Sequence, residues 1–333
     1  MLMDKLSIII PCRNEEKYIE DCIISLLSMK NNLLLKEIIV VDGKSDDNTV
    51  KIVNKLRTQF ENIKLVINDK KITPVALNLG IKSAEGNYIM IASAHSKFSE
   101  NYISVLMENL KELDCDCVGG VLKTDVKVKN KKSLSICRVL SNKFGVGNSM
   151  FRIGTQLPVM VDIVPFGLYK KNIFYEVGFY NEKLKRNQDM EFAKRLLQNG
   201  KKIYLIPSAE CVYFAREEYI PLAKNNFGNG EWILLTTYLT KKTSSLSLRH
   251  FIPLLFIISI IVPCVLMPLS RYFGLITLTV LISYISLISI VSKHIKDKST
   301  TFIYIFWTFI VVHFSYGLGS LVGIFKINHL FKK

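Results

Sequence analysis

The chain has 333 residues, of which 44 are Lys or Arg and 28 are Asp or Glu, giving a formal net charge of +16. Such a basic balance is typical of proteins that bind nucleic acid, an anionic membrane surface or a phosphate-bearing substrate. The sequence has neither zinc-finger cysteine spacing nor an aromatic RNA-binding signature, which disfavours nucleic acid, and its seven scattered cysteines predict free thiols in a reducing compartment.

Short apolar runs alternate with segments of helical period through the first 113 residues. Strands are predicted at residues 6–11, 38–41, 64–67 and 88–92. Helices are predicted from residue 15, over residues 50–60 and 73–84, and over most of residues 96–113. This alternation predicts an α/β fold with a doubly wound, mostly parallel sheet. The first run is too short for a signal-peptide core, so we expect this part of the chain in the cytosol.

The second predicted strand ends in an acidic turn. A continuous Ile and Val run at residues 38–41 is typical of a strand buried on both faces, and Asp42 and Gly43 follow it directly. Ligands of open α/β sheets bind beyond the carboxyl ends of the strands. We therefore expect Asp42 at the edge of a binding crevice, with Gly43 letting the backbone turn close to the ligand.

The alternation ends after Val121. Residues 123–132 are rich in lysine, which predicts a solvated loop or a membrane-facing edge, and residues 159–179 are rich in turn signals. A helix is predicted over residues 189–199, with Gly200 as its stop signal, and a strand over residues 202–206. Residues 219–248 mix aromatic with basic side chains and predict helices lying along a bilayer surface.

Three apolar stretches, at residues 251–269, 273–291 and 302–325, predict membrane-spanning helices because each has close to the roughly 20 residues that a bilayer requires. Lys293, Lys296 and Lys298 between the last two stretches fit a cytosolic loop under the positive-inside rule. Lysines 326, 332 and 333 would then lie outside, so either the last stretch is re-entrant or this chain departs from the rule.

Four segments in order resemble the family 2 glycosyltransferases with a GT-A fold, most closely the membrane-anchored bacterial enzymes of the succinoglycan exopolysaccharide branch. They are SIIIPCRNEE from Ser7, EIIVVDGKSDDNT from Glu37, TPVALNLGIKSAEGNYIMIA from Thr73 and RNQDMEF from Arg186. The tail HFSYGLGSLVG from His313 is similar to the last span of that branch.

The resemblance implies a GT-A catalytic domain at residues 1–215, an interfacial linker at 216–250, a transmembrane region at 251–325 and a basic tail at 326–333. It also implies an inverting enzyme that moves a sugar from a nucleotide-sugar to a lipid-linked or saccharide acceptor. The reaction would take place at the cytosolic face of the cell membrane, in exopolysaccharide or cell-surface synthesis, with polysaccharide-assembly proteins as possible partners.

Site residues also follow from the resemblance. The loop after the first strand would border the nucleotide with Pro11, Arg13, Asn14 and Glu15. The second motif would contact the nucleoside through Asp42, with Gly43 where relatives commonly have a second Asp, and would end in Ser45 and Asp47; Asp47 is equally well placed as a helix cap. Further donor contacts are assigned to Lys71, Asn78 and Ser93.

The largest departure from the family lies at Ser93–Ala94–His95, where relatives usually carry an Asp-x-Asp signature that binds Mg²⁺ or Mn²⁺ at the donor diphosphate. His95 could ligate Mn²⁺ through its neutral imidazole. Alternatively, lysines 70, 71 or 97 could neutralise the phosphates without a metal, with His95 a plain loop residue. A divalent cation and a metal-free site are therefore both compatible with the sequence.

The catalytic base implied by the resemblance is Asp189, beside Gln188 as a substrate contact. At an ordinary pKa of about 4, this carboxylate would be ionised at neutral pH, and the start of a helix would favour its charge further. A helix cap is the competing interpretation, and Glu191 is a supporting candidate only. Trp232 stands where processive relatives carry an acceptor motif, and either stacks on a sugar or lies at the bilayer interface. His313 is interpreted as a packed polar group.

Two other functions compete with a transferase. Loss of the acidic triplet could mark a non-catalytic subunit that binds a nucleotide-sugar or scaffolds a polysaccharide-export complex. Retention of Asp42 and Asp189 argues against such decay. A nucleotidyltransferase would usually have a glycine-rich basic loop near its N-terminus, which IIIPCRNEE lacks.

Overall fold

The computed structural model describes residues 5–30, 35–240 and 250–330. Lysines 332 and 333 and residues 241–248 of the predicted surface helices lie outside these ranges. Contacts divide the chain into two units: the first comprises the chain up to Lys123 together with Met150–Phe214, and the second comprises Thr124–Ser149 together with the chain from Ala215 onward. Residues 124–149, assigned above to the catalytic domain, thus cluster with the C-terminal helices.

A single mixed sheet forms the first unit. Its strands are β1 Lys5–Cys12, β2 Leu35–Asp42, β3 Ile63–Ile67, β4 Tyr88–Ile91, β5 Ser96–Phe98, β6 Cys117–Asp125, β7 Val159–Met160, β8 Leu168–Lys170 and β9 Ile203–Phe214. The strand order is β3-β2-β1-β4-β8-β6-β9-β5, with β7 paired to β9. Strands β1 to β4 are parallel, whereas β8 joins β4 and β6 in antiparallel pairing and β5 joins β9 in the same way.

Helices α1–α4 and α7–α9 belong to the first unit, and α5, α6 and α10–α13 belong to the second unit. Their bounds are α1 Ile19–Leu27, α2 Thr49–Gln59, α3 Thr73–Ser83, α4 Tyr102–Glu112, α5 Lys131–Leu140, α6 Lys143–Val146, α7 Met150–Ile153, α8 Ile173–Glu176, α9 Gln188–Gln198, α10 Tyr219–Thr240, α11 Ile252–Leu266, α12 Arg271–Ile295 and α13 Phe302–Leu330.

The apolar run of β2 is buried on both faces, as its composition predicts. Ile38 and Val40 enter one core cluster with side chains of α1, α2 and α4, while Ile39 and Val41 enter a second cluster with α3 and α9. Successive strand residues point to opposite faces, and all four of these side chains are 0% exposed. The doubly wound α/β fold is thereby confirmed.

The helix predicted over most of residues 96–113 is confirmed for Tyr102–Glu112, whereas the first residues of that segment form a strand that was not predicted. Residues Ser96–Phe98 form β5, which pairs with β9 at Ser96↔Tyr213 and Phe98↔Cys211, and α4 begins only at Tyr102. Ser96 and Phe98 are buried on either side of an exposed Lys97, which is the alternation of a half-buried strand. Because Phe98 is the one apolar residue in this three-residue strand, the alternation could not be recognised beside the longer helical pattern that follows it.

Helices α10 and α13 of the second unit pack with almost no space between their backbones. A Cβ atom on Gly319 would lie 2.0 Å from the carbonyl oxygen of Phe227, and one on Gly230 would lie 2.1 Å from that of Tyr316. Gly323 and Gly317, from the same tail motif, face the backbones of Glu231 and Pro253. The glycines of HFSYGLGSLVG therefore serve helix packing, as small residues do between membrane helices.

Replacing Gly319 with Ala is expected to destabilise the second unit by about 1–3 kcal/mol, because the added methyl group forces α10 away from α13. Gly274→Ala on α12 is the matched control, since its Cβ would meet only the flexible Met267 side chain at 3.1 Å. There the helix propensity of Ala should leave stability equal or slightly higher. Thermal unfolding of both variants in detergent measures the difference, and equal melting temperatures would contradict the assignment.

Two of the three predicted spans correspond to helices long and apolar enough to cross a membrane, Arg271–Ile295 and Phe302–Ile327. The first predicted span forms instead the 15-residue α11, which contains Pro263. At 1.5 Å per residue such a helix falls short of a hydrocarbon core of about 30 Å, so this span was predicted too long. Helix α12 leaves much of its apolar surface uncovered, with Ile290 68% and Tyr272 65% exposed.

Candidate active site

A cavity of about 400 Å³ opens beyond the carboxyl ends of β1, β2 and β4. All four motifs, the turn-rich segment and residues adjacent to them contribute to its lining. The lining residues are Pro11, Cys12, Arg13, Glu15, Gly43, Asn68, Lys71, Ile72, Thr73, Ala76, Leu77, Ile91, Ala92, Ser93, His95, Val164, Pro165, Phe166, Gly167, Tyr169, Tyr180, Gln188 and Asp189. The parallel register pairs Cys12 with Asp42 and Asp42 with Ile67, so the loops that follow these strands start at the same edge. This is the crevice that the sequence places at the strand ends.

Nine of the predicted site residues line the cavity, namely Pro11, Arg13, Glu15, Gly43, Lys71, Ser93, His95, Gln188 and Asp189. They come from positions as far apart in the chain as 11 and 189, and the sheet topology brings them together. Of the three lysines considered for the phosphates, only Lys71 is among the lining residues. Lys70 pairs instead with Glu182 at 3.3 Å, and Lys97 is exposed on β5.

Asp42, Ser45 and Asn14 are not among the lining residues but form a network behind them. The Asp42 carboxylate is 1% exposed and accepts hydrogen bonds from the Ser45 backbone N–H at 2.9 Å and from the Ser45 hydroxyl at 2.5 Å. That hydroxyl accepts from the Asn14 N–H at 2.9 Å. Asp42 thus stabilises the turn after β2 and ties it to the loop after β1. Its contact with a nucleoside stays a prediction.

Asn78 is not among the lining residues but holds Tyr180, which lines the cavity. Its amide nitrogen donates to the Tyr180 carbonyl oxygen at 2.9 Å and to Glu182 Oε1 at 3.1 Å, while its carbonyl oxygen accepts from the Tyr180 N–H at 3.0 Å. The side chain is buried and its polar atoms make these hydrogen bonds within the protein, and its contact with a substrate stays a prediction. Trp232 lies half-buried on α10 in the second unit, whereas every lining residue belongs to the first unit.

Asp189 lies in the first turn of α9, on the wall of the cavity. The preceding Asn187 has a left-handed φ of 59°, and the Met190 N–H donates to Asp189 Oδ1 at 2.9 Å. The side chain is open to the cavity, yet the surrounding protein desolvates the carboxylate and raises its pKa above the ordinary value. The expectation of an ordinary pKa is therefore corrected, because desolvation outweighs the hydrogen bonds from the backbone N–H groups of Met190 and of Asp189 itself.

A buried ion pair fixes the helix that carries Asp189. Arg195 donates to both carboxylate oxygens of Glu191, at 2.7 and 2.9 Å. The same guanidinium donates to the carbonyl oxygens of Val177, Gly178 and Phe179, at distances between 2.7 and 2.9 Å. Glu191, a supporting catalytic candidate from the sequence, thus orients the guanidinium of Arg195, which ties α9 to the loop at residues 177–179.

His95 and Glu15 form a pair inside the cavity. His95 Nδ1 lies 3.1 Å from Glu15 Oε1, and the side chains are 20% and 13% exposed. Glu15 is held in turn by its backbone N–H, which donates to the Thr49 hydroxyl at 2.8 Å. The rings of Tyr18 and Tyr213 meet the imidazole edge-on, at centroid distances of 6.3 and 5.0 Å. The carboxylate that the 93–95 triplet lacks is thus present nearby, from another motif.

The segment at residues 164–180 supplies an apolar wall that sequence reasoning did not assign to the site. Phe166 has a left-handed φ of 46°, and its ring packs edge-on against Phe98 and stacked against Tyr213. A bulky residue in that conformation is strained, which is a feature of functional sites. In the sequence, Pro165–Phe166–Gly167 places an aromatic residue between two turn-forming residues, which indicates a tight turn. That pattern does not indicate that Phe166 lines this cavity.

Comparisons with known proteins give a consistent result. The family model described as glycosyl transferase family 2 matches residues 7–178. A dolichyl N-acetyl-alpha-D-glucosaminyl phosphate 3-beta-D-2,3-diacetamido-2,3-dideoxy-beta-D-glucuronosyltransferase of Methanococcus voltae is 28% identical over 236 residues, covering 68% of this chain and 72% of that protein. Succinoglycan biosynthesis protein ExoA of Rhizobium meliloti is 28% identical over 225 residues, 67% of each chain.

A solved structure supports the fold alone. The crystal structure of S. aureus TarS 1–349 aligns with a TM-score of 0.50 at 16% identity, over 95% of this chain and 90% of that one. At that identity the likeness extends to the arrangement of strands and helices and not to individual side chains.

Proposed function

Because the chain belongs to glycosyl transferase family 2, it is a glycosyltransferase, and we propose that it transfers a sugar with inversion from a nucleotide-sugar to a lipid-linked or saccharide acceptor. The similar proteins named for succinoglycan biosynthesis and for modification of a dolichyl-phosphate sugar support a role in polysaccharide or glycolipid synthesis. The observation that carries the proposal is one cavity lined both by cationic side chains and by the carboxylate of Asp189.

Asp189 is the proposed general base. As the acceptor hydroxyl oxygen attacks the anomeric carbon, Asp189 takes its proton, the bond between that carbon and the diphosphate oxygen breaks, and the nucleoside diphosphate leaves. A single displacement of this kind inverts the anomeric configuration. The desolvation that raises the Asp189 pKa makes its carboxylate a stronger base toward the acceptor hydroxyl.

Another group of lining residues suits the donor diphosphate. Arg13 and Lys71 contribute positive charge, and the first turn of α3 contributes Ile72, Thr73 and Ala76. The free N–H groups at the start of a helix, together with its dipole, favour a bound phosphate. The apolar wall at residues 164–169 is left for the sugar and acceptor.

The proposal includes attachment to the membrane, where a lipid-linked acceptor is found. Helices α12 and α13 are long and apolar enough to span a bilayer. Lys293 in the last turn of α12 is exposed, as are Lys296 and Lys298 in the loop that follows. Asp297, the acid in that loop, is ion-paired with Arg138. The loop is therefore effectively cationic, and the positive-inside rule favours the cytosolic face for it.

Membrane vesicles of known orientation test the proposal. A panel of radiolabelled nucleotide-sugars is added to inside-out and right-side-out vesicles that contain the full chain, and lipid-extractable counts are measured. We expect incorporation with one donor and only in inside-out vesicles, because nucleotide-sugars do not cross the bilayer. Donor binding without any incorporation in either orientation would indicate the scaffold subunit instead. Incorporation only in right-side-out vesicles would refute the cytosolic orientation.

A further inference from the structure

Helix α5 is tied to the loop between α12 and α13 by polar contacts within the second unit. Arg138 of α5 forms an ion pair with Asp297 of the loop, and the Ser135 hydroxyl accepts a hydrogen bond from the Thr301 N–H at 3.3 Å. The Asp297 carboxylate also accepts hydrogen bonds from two hydroxyl groups of the loop, at 2.7 and 3.0 Å. These hydroxyl groups and the guanidinium hold the pKa of Asp297 well below its ordinary value, so this acid is charged and offsets the charge of Arg138.

Four lysines in this region are exposed and form no ion pair with any residue that the structure describes. They are Lys131, Lys293, Lys296 and Lys298, which we call the basic surface. Lys131 lies on the face of α5 that meets the loop, because Ser135 and Arg138 follow it by four and seven residues. Lys296 and Lys298 directly flank Asp297, so the loop and α5 present their positive charge side by side.

The sequence around the basic surface has too few acids to neutralise it. Residues 124–149 and 293–298 together contain nine Lys or Arg and two Asp or Glu. Those two acids are already paired, Asp125 with Lys129 at 3.0 Å and Asp297 with Arg138. The basic surface therefore keeps its positive charge in the folded chain and favours an anionic partner.

Exposed apolar side chains adjoin these charges. Ile290 is 68% exposed one turn before Lys293, on a helix long enough to span a bilayer. Phe144 of α6 is 42% exposed, with the Lys143 ammonium 5.6 Å from its ring centroid, and its carbonyl oxygen lies 2.7 Å from His313 Nε2 of α13. Cations next to exposed aromatic and aliphatic side chains are typical of the membrane–water interface, where lipid phosphates lie. This setting favours a partner in the headgroup layer over a nucleic acid or an acidic protein in solution.

We propose that the basic surface binds the headgroups of anionic phospholipids in the cytosolic leaflet, so that the chain selects such lipids over zwitterionic ones. The inference rests on the proposed function, because attachment through α12 and α13 brings the four lysines to the headgroup layer. A lysine near an anionic membrane surface strengthens binding about 5-fold. Several lysines acting together therefore give a clear preference for a negatively charged headgroup.

The test compares two phospholipids with the same acyl chains. Native mass spectrometry of the full chain in non-ionic detergent measures the dissociation constants of phosphatidylglycerol and phosphatidylcholine. We expect phosphatidylglycerol to bind at least about 10-fold more tightly. Polyprenyl phosphate, which carries the phosphate chemistry of a lipid-linked acceptor, is measured in parallel and should bind no more tightly than phosphatidylglycerol.

A triple variant removes most of the basic surface without touching the protein interior. Lys293→Gln combined with Lys296→Gln and Lys298→Gln should bring the affinity for phosphatidylglycerol down to that for phosphatidylcholine. The matched control replaces three exposed lysines of the first unit: Lys51→Gln, Lys55→Gln and Lys183→Gln. This control changes the net charge equally and should keep the parental preference.

A fourth substitution should shift the affinity in the opposite direction. Asp297→Asn removes the acid that offsets Arg138, while its amide oxygen can still accept the hydroxyl hydrogen bonds of the loop. Binding of phosphatidylglycerol should therefore become about 5-fold tighter, and binding of phosphatidylcholine should stay the same. A merely structural role of Asp297 would give no such gain.

Equal affinities for the two phospholipids in the parent chain, or an unchanged preference in the triple variant, would overturn the inference. Polyprenyl phosphate binding far more tightly than phosphatidylglycerol, with that excess lost in the triple variant, would also overturn it, because the surface would then hold the acceptor. These results leave the proposed function standing if sugar transfer is observed in vesicles. Release of the chain from vesicles by alkaline carbonate would instead refute the membrane attachment itself.

Discussion

Asp189→Asn is expected to lower the rate of sugar transfer by about 10²- to 10⁴-fold, the usual contribution of a general base. The amide has nearly the shape of the carboxylate but cannot take the proton of the acceptor hydroxyl. Donor affinity should change little, because Arg13, Lys71 and the first turn of α3 remain. Single-turnover rates with saturating donor, beside donor dissociation constants, separate the two effects.

Asp114→Asn is the matched control, since this aspartate is on the surface with a side chain 93% exposed. It should transfer sugar at the parental rate. An Asp189→Asn protein that keeps the parental rate would remove this residue from the mechanism and would require another base on the cavity wall.

The same substitution should stabilise the fold at neutral pH. Desolvation raises the pKa of Asp189 in the folded state above its unfolded value of about 4, so the folded state binds more protons between those two pKa values. Stability contributed by this group therefore falls as pH rises through that window. We expect Asp189→Asn to melt at a higher temperature than the parent at pH 7, with the difference disappearing below about pH 4, where both side chains are neutral.

Arg195→Met is expected to destabilise the first unit by about 3–5 kcal/mol, because it leaves the Glu191 carboxylate buried without its partner. The Glu191 side chain is 8% exposed, and the carbonyl oxygens of Val177, Gly178 and Phe179 would also lose their donor. Thermal and denaturant unfolding measure the loss. Because Arg195 and Glu191 hold the helix that carries Asp189, the transfer activity of the protein that remains folded should also decrease.

Two further variants test the contribution of the Glu191–Arg195 ion pair to stability. Arg57→Met on the exposed side of α2 removes a guanidinium from the same kind of helix without a buried partner, and should cost little. The double variant Glu191→Met with Arg195→Met should be more stable than Arg195→Met alone, because no unpaired charge is left inside. A single variant as stable as Arg57→Met would show that the ion pair contributes nothing.

The parallel half of the sheet and the location of the site were predictable because both depend on local patterns. The Ile and Val runs of β1 and β2 are long enough to identify strands buried on both faces, and parallel strands have their carboxyl ends at one edge. Pro11, Gly43 and Ser93 could thus be placed together from the sequence alone.

The antiparallel half was not predictable for an equally physical reason. Strands β5 and β8 have only three residues each, which is too short for a period to be recognised, and their partners are distant in the chain. The wall at residues 164–169 depends on that pairing. The roles of Asp42 and Asn78 likewise depend on partners that no spacing reveals, because Asp42 faces the turn after its own strand and Asn78 faces Tyr180.

The interleaving of the two units also limits how the enzyme can be shortened. The chain leaves the sheet for α5 and α6 and then returns to build the wall and α9, before it leaves again at Ala215. A protein truncated at Ala215 would retain α5 but lose the downstream helices that cover Ile136 and Val139. The apolar surface exposed in this way promotes aggregation. A water-soluble catalytic fragment therefore needs a second excision, with residues 124–149 replaced by a hydrophilic bridge.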